Sequence, residues 1–277
     1  MKINNQFLLT ISGLFIYPIK SLPGISVSSA LVTDRGLQYD RRWMLVNEEN
    51  SFLTLREYPK MTMLKVSIKE EGLRINSLEY PIEDLLIPFG AEESASEKVT
   101  IWNATCEALR VGEKADQWFS EILDASCKLV YMPDNSMRPV DTTSGYAPTG
   151  KFTSFADAYP FMMLGEASMN DLNSRLKVPA SLMRFRPNIV FSGGTPYLED
   201  EINAFSINQI NFTGLENCAR CKIPNIDPEK GIIGNDKEPL NTLATYRTQN
   251  GKINFGRNVV HTGYGIISVG DRLHLIE

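Results

Sequence analysis

The chain has 277 residues, 43% of them apolar and 22% charged, with a formal net charge of −5. This is enough chain for one or two well-buried domains, and the acidic balance argues against general affinity for nucleic acid or an anionic membrane, though not against a local basic pocket. No apolar run reaches the roughly 20 residues of a membrane-spanning helix, and the four cysteines are too few for a disulfide scaffold, so reduced thiols are expected.

The opening MKINNQFLLTISGLFIYPIK lacks both a strong basic segment and a small-residue cleavage site. It reads as a strand rather than a secretion signal, which makes the cytoplasm the expected compartment. Up to about residue 110 the pattern is mainly of strands. LFIYPIKSL is broken by Pro23-Gly24, and RRWMLVNEENSFLTL predicts a hairpin turning near Glu48–Asn50. LKVSIKEEGLRINS predicts a second hairpin at Glu71-Gly72, and KVTIWNATCEALRV predicts two more short strands. Such regular strand spacing with polar turns points to an antiparallel sandwich or barrel. A helix is expected over Glu113–Leu123, where Ala115, Trp118, Phe119 and Ile122 fall on one face. The stretch Tyr131–Pro160 is rich in Pro, Gly, Ser and Thr. It predicts a long functional or flexible loop and a junction between two regions. PFMML and a helix, GEASMNDLNSRL, open the second half. RFRPNIVFSG follows as a strand, AFSINQINFTG as a hairpin, EPLNTLATYR as a helix, and the last 25 residues as closing strands.

Chemistry concentrates in three places. Cys218 and Cys221 form a Cys-x-x-Cys pair followed by Pro224 and Asp227-Pro228. Four readings stand: a zinc knuckle, which wants a second pair of ligands; a thioredoxin-like dithiol, which wants a following helix; two buried cysteines acting as small apolar residues; or one thiolate bound to a soft metal whose cofactor supplies the other donors. Lys20 and Ser21 end the first apolar strand, where a point charge and a hydroxyl can hold an anion or where a lysine merely closes an edge strand. Arg41 stands in an Asp-Arg pair at the mouth of another strand, as an ion pair or as a guanidinium placed for phosphate. Arg184 and Arg186 alternate with Phe185, which predicts both on one strand face together with Asn188. Two such arginines repel unless an anion or a carboxylate lies between them.

YPIKSLPG, DRRWMLV, RFRPNIVFSG with YLEDE, CARCKIPNIDPEKG, EPLNTLATYR and FGRN occur in this order over nearly the whole chain. Together they resemble the MOSC family, and more narrowly the bacterial relatives of the mitochondrial amidoxime-reducing component. The resemblance implies a mainly β chain with a few helices: an N-terminal β-barrel-like domain over residues 8–128 and a MOSC β-barrel domain over 129–277, with a molybdenum cofactor (molybdopterin) in the cleft between them. Carried over position by position, it implies Cys221 as the metal ligand and Cys218 as a packed neighbour. Lys20, Ser21, Arg41, Arg186 and Asn188 would hold the pterin and its phosphate. Asp157, in FADAYPFMML, would stand near the metal to orient water or pass a proton. Ala158-Tyr159 and Pro224-Asn225 replace hydroxyl residues common in the family. The loop over the entrance would bring Arg138 near substrate or cofactor. The implied activity is reduction of amidoximes, hydroxylamines and N-hydroxylated bases to the N–H form. Electrons would come from a separate donor such as a cytochrome b5-like protein or a flavin reductase. The alternative is a cofactor or sulfur carrier without turnover.

Overall fold

The computed structural model describes residues 8–90, 96–142 and 147–276. The first seven residues of the opening segment, and residues 143–146 of the expected loop, lie outside them. Leu9–Ile16 forms the first strand. Its register shifts between Ile11 and Gly13, so the buried side chains change from Leu9 and Ile11 to Leu14 and Ile16. That is the expected result of one extra residue in a period-two pattern.

The main partners of this strand come from the far end of the chain. It pairs with Ile189–Ser192 on one side and Arg272–Leu275 on the other. The ring continues through Ala204–Ile207, Ile210–Ala219 and Lys252–Thr262, then closes on Phe161–Gly165, which returns to Ile189–Ser192. This is a closed seven-stranded barrel with no free edge along the ring. Phe161–Gly165 and Ile189–Ser192 run parallel, and the helix Glu166–Arg175 supplies the crossover that parallel strands require. Both strands therefore read as continuous apolar runs, FMML and IVF, rather than alternating ones. Inside the barrel Phe205 stacks on Phe212 at 4.9 Å, and Phe161 meets Phe212 edge to face at 5.5 Å.

The N-terminal half has two antiparallel sheets around one core. One contains Trp43–Val46, Lys128–Tyr131, Ala104–Arg110 and Ser96–Ile101, in that order. The other contains Leu64–Lys69, Gly72–Ser77 and Leu85–Pro88. The helix Glu113–Leu123 lies where its apolar spacing predicts, with Trp118, Phe119 and Ile122 buried among Leu45, Leu64 and Leu129. The hairpin at Glu71-Gly72 is present. The one after Trp43–Val46 is shorter than expected, its return arm reduced to a bridge from Phe52 to Val46.

RFRPN differs from the reading as a strand. Leu182–Arg184 is a 3-10 turn, Arg186 has φ of 57°, and the strand starts only at Ile189. The left-handed residue breaks the alternation, so Arg184 and Arg186 do not share a face. Arg184 donates to the carbonyls of Pro224 (3.1 Å) and Ile226 (2.9 Å). No helix among the described residues is long and apolar enough to cross a membrane.

Candidate functional site

The chain leaves the barrel after Ile16 and crosses at once to the other half, where Lys20 N donates to Trp43 O at 2.7 Å. Lys20 and Ser21 thus lie at the seam. The strand Ile210–Ala219 approaches the same seam from the barrel. A side chain at Gly214 would come within 2.1 Å of Ile202 O, and the register shifts twice after it. Bulges of this kind bend a strand and re-aim its end, and here the end delivers Cys218, Arg220 and Cys221 into a cleft between the halves. A 3-10 turn over Ile223–Asn225 follows, not a helix, so the thioredoxin-like context is missing.

Lys20, Ser21, Arg41, Asp157, Arg186, Asn188 and Cys221 all line this one cleft. Of the residues selected from sequence, Arg138 does not. It is buried behind the cleft, where its guanidinium donates to the carbonyls of Ser154 (2.8 Å), Ala156 (2.6 Å) and Asp157 (2.9 Å). Arg138 therefore shapes the loop that carries Asp157 instead of meeting a ligand.

Five cations line the cleft: Lys20, Arg41, Arg56, Arg186 and Arg220. Among the described residues, Asp157 is the one carboxylate on its wall. Lys20 Nζ donates to Asp157 Oδ1 (2.6 Å) and to Phe155 O (2.9 Å). Burial pulls the Lys20 ammonium down to about 8, and Asp157 only partly offsets this. Desolvation in the cleft works against ionisation of Asp157, whose side chain is still 57% exposed, but the charge and hydrogen bond of Lys20, then Arg56 and Trp102, outweigh it and hold the carboxyl well below the usual carboxylate range. Arg186 is lowered to about 10 by burial and by the neighbouring Arg41. It forms no ion pair among the described residues, and it donates to Leu22 O at 2.7 Å. Both guanidiniums rest on Tyr17, at 4.2 Å for Arg41 and 4.3 Å for Arg186. Arg41 is fixed by Asp40 (2.6 Å) and Asn188 Oδ1 (3.1 Å). Asn188 also donates to Phe15 O (3.2 Å), so its amide serves to hold Arg41 in place.

Ser21, Arg41 and Arg186 all have positive φ, at 72°, 49° and 57°. Non-glycine residues rarely occupy this region, and it carries a backbone cost. All three point into the cleft from separate segments. Sequence reasoning also missed Arg56, Arg220 and Trp102. Arg220 immediately precedes Cys221, donates to Cys218 Sγ (3.0 Å) and Phe185 O (2.8 Å), and keeps a buried Nε without a partner. Tyr159 donates to Glu216 at 2.8 Å and so supplies a different contact from a small hydroxyl residue.

Cys221 is exposed, Cys218 half-buried against Phe185 and Phe255, and Cys106 and Cys127 buried. No group of three or more His, Cys, Asp or Glu among the described residues could hold a metal by itself. A lone accessible thiol beside a surplus of cations fits an anionic group that brings its own metal and most of its donors. The under-paired Arg186 and the orphaned Arg220 Nε fit such an anion.

Residues 8–126 match the MOSC N-terminal beta barrel domain, and residues 151–274 match the MOSC domain. The chain belongs to the MOSC family. Mitochondrial amidoxime-reducing component 1 of Mus musculus is 35% identical over 283 residues, with 96% of this chain and 82% of that protein covered. Molybdenum cofactor sulfurase of Oryza sativa subsp. japonica is 33% identical over 262 residues, covering 89% of this chain but 32% of that protein. Among solved structures, the YUAD protein from Bacillus subtilis aligns over 98% of this MOSC chain and 99% of its own, at TM-score 0.44 and 11% identity. The resemblance carried by the ordered motifs is thus met by both MOSC models, and the mainly β, barrel-based fold agrees with it.

Proposed function

We propose that the protein is a molybdenum-cofactor-dependent reductase of N-hydroxylated compounds, with electrons supplied by a separate donor protein. One observation carries this reading: the exposed thiol of Cys221 shares a cleft with Lys20, Ser21, Arg41 and Arg186, which come from both halves of the chain. Thiolate suits a soft metal, and the guanidinium pair with the ammonium suits a phosphate. When bound, the cofactor would supply the two-electron chemistry of N–O cleavage, in which an N-hydroxy compound, two electrons and two protons give the N–H compound and water.

The chain's own residues would divide the remaining work. Cys221 is the ligand the protein contributes. Lys20, Ser21, Arg41 and Arg186 bind the phosphate and pterin, with Asn188 and Tyr17 holding the two guanidiniums in place. Asp157 stays ionised at neutral pH because of Lys20 and Arg56, so its role is to accept hydrogen bonds from an N–H group or a water and orient it. Donating a proton would need a carboxyl that titrates far higher.

A second reading, a cofactor or sulfur carrier without turnover, draws on the similar identity to the sulfurase relative. Protein made in a host that builds the cofactor separates the two. The reductase reading expects about one molybdenum per chain and reduction of benzamidoxime by a chemically reduced dye. Bound molybdenum without turnover selects the carrier. Full activity in Cys221→Ser removes the ligand assignment.

A further inference from the structure

Beside the cleft lies a groove of about 500 Å³ that shares Thr54 and Arg56 with it. The volume falls within the range of roughly 300–1,000 Å³ common for small-molecule sites. Its aromatic walls are Phe52, Tyr58 and Trp102. Trp102 is the unusual member. It opens the two-residue loop between Ser96–Ile101 and Ala104–Arg110, with Ala104 opposite Ile101 and a φ of 53°. Glycine, Asn or Asp is favoured at such a position. Trp43 and Trp118 are buried, whereas Trp102 is 46% exposed. A large ring held in a strained, solvent-facing turn adds nothing to a core, and an outlier of this kind points toward function.

Its contacts say what it receives. The indole Nε1 donates to Asp157 Oδ1 at 3.3 Å, and Phe52 lies 5.0 Å away, tilted by 56°. The Arg56 guanidinium sits 4.5 Å from the indole ring and 3.9 Å from Asp157 Oδ2. A planar, delocalised carbon–nitrogen group therefore already lies over the Trp102 ring and beside Asp157. An N-hydroxyamidine, or a ring that carries one, presents a flat nitrogen-rich framework of the same shape, without the full charge, to the same partners.

We propose that Trp102, backed by Phe52, is a stacking platform for the planar body of the substrate and makes the protein select flat, delocalised N-hydroxylated compounds over non-planar ones. This deepens, and rests on, the reductase reading of the adjoining cleft. The flexible Arg56 side chain gives way as the substrate enters, and Asp157 then accepts from the substrate's N–H in its place.

The test uses cofactor-loaded protein and two substrates of similar size, planar benzamidoxime and non-planar N-cyclohexylhydroxylamine. Trp102→Gly removes the ring while suiting the left-handed backbone, and Trp102→Phe restores a ring without the indole N–H. Benzamidoxime should quench the intrinsic fluorescence of the wild type saturably, because Trp102 is the exposed tryptophan, and the quench should vanish in Trp102→Gly. The ratio of kcat/KM for benzamidoxime over N-cyclohexylhydroxylamine should fall about tenfold in Trp102→Gly and largely return in Trp102→Phe. Absence of saturable quenching in the wild type overturns the platform, as does an equal loss for both substrates. Saturable quenching in a protein that reduces neither compound supports the platform and refutes the reductase reading.

Discussion

Lys20 makes the anion affinity of the cleft a function of pH in a window where ordinary lysines do not titrate. Its folded value of about 8 arises from burial, partly offset by Asp157. The sign follows directly: the ammonium is present below pH 8 and is lost as pH rises through 8. A dianion bound beside it then loses a charge-assisted hydrogen bond. If only the ammonium form binds, the dissociation constant rises about tenfold between pH 7 and pH 9. Sulfate is the suitable probe, since it carries two charges throughout this range. Isothermal titration calorimetry on the purified chain, at fixed ionic strength to hold screening constant, measures the slope. In Lys20→Arg the cation does not titrate in this window, so its affinity should stay flat. A flat wild type refutes the reasoning, and so does a parallel fall in Lys20→Arg.

Three further outcomes test other parts of the structure. Glu199 is fully buried, with Oε2 bonded to Ser168 and Oε1 without a partner. Burial pushes it from 4.5 to about 7, so the folded state holds a proton the unfolded state has lost, and stability should fall by about 3 kcal/mol as pH rises through that interval; urea unfolding of Glu199→Gln should lack this fall, and parallel curves would refute the assignment. Arg138→Gln, which strips two buried carbonyls and one part-buried carbonyl of their donor, should cost at least about 2 kcal/mol by the same assay; a loss under 0.5 kcal/mol, the usual size of a surface change, would show that the guanidinium does not hold the loop. Brief iodoacetamide treatment followed by mass spectrometry should label Cys221 before Cys218, Cys106 or Cys127; earlier labelling of Cys218 would reverse the roles given to the pair.

Local pattern carried much of the architecture. The helix Glu113–Leu123 and the hairpin at Glu71-Gly72 follow from spacing and turn chemistry over a dozen residues. The closing of the barrel does not, because Leu9–Ile16 finds its partners about 180 and 260 residues away, and nothing in an eight-residue apolar strand names them. The same holds within the cleft. Lys20, Ser21, Arg41 and Arg186 were legible as charges and hydroxyls at strand ends, and the ordered motifs joined them to Cys221. Arg138 was read toward the entrance because a loop sequence shows a cation but not the three carbonyls to which it donates. Arg56 and Arg220 left no signal beyond their charge. Trp102 left one: a bulky aromatic before Asn103, in a loop too short to tolerate it comfortably.

The left-handed residues give the cleft its common logic. A positive φ reverses the local direction of the chain, so a side chain at such a position points where regular strand geometry would not send it. Ser21 ends the crossover from the barrel, Arg41 opens the N-terminal sheet, and Arg186 precedes a barrel strand. Trp102 occupies the same backbone region at the tip of a fourth segment. Each departure alone is an ordinary irregularity of a loop. Four of the eleven such non-glycine residues among the described residues line one cleft and its adjoining groove, and two of the four rest their guanidiniums on a single buried tyrosine. Asp40 offsets Arg41 and Asp157 offsets Lys20, but Arg186 has no ion pair among the described residues, and after burial the repulsion of Arg41 is the next cause of its lowering. A fold that only needed to bury its core would relax both the strain and the repulsion. An anionic ligand in the cleft would relieve this repulsion, which is the physical reason for the chemistry proposed at the seam between the halves.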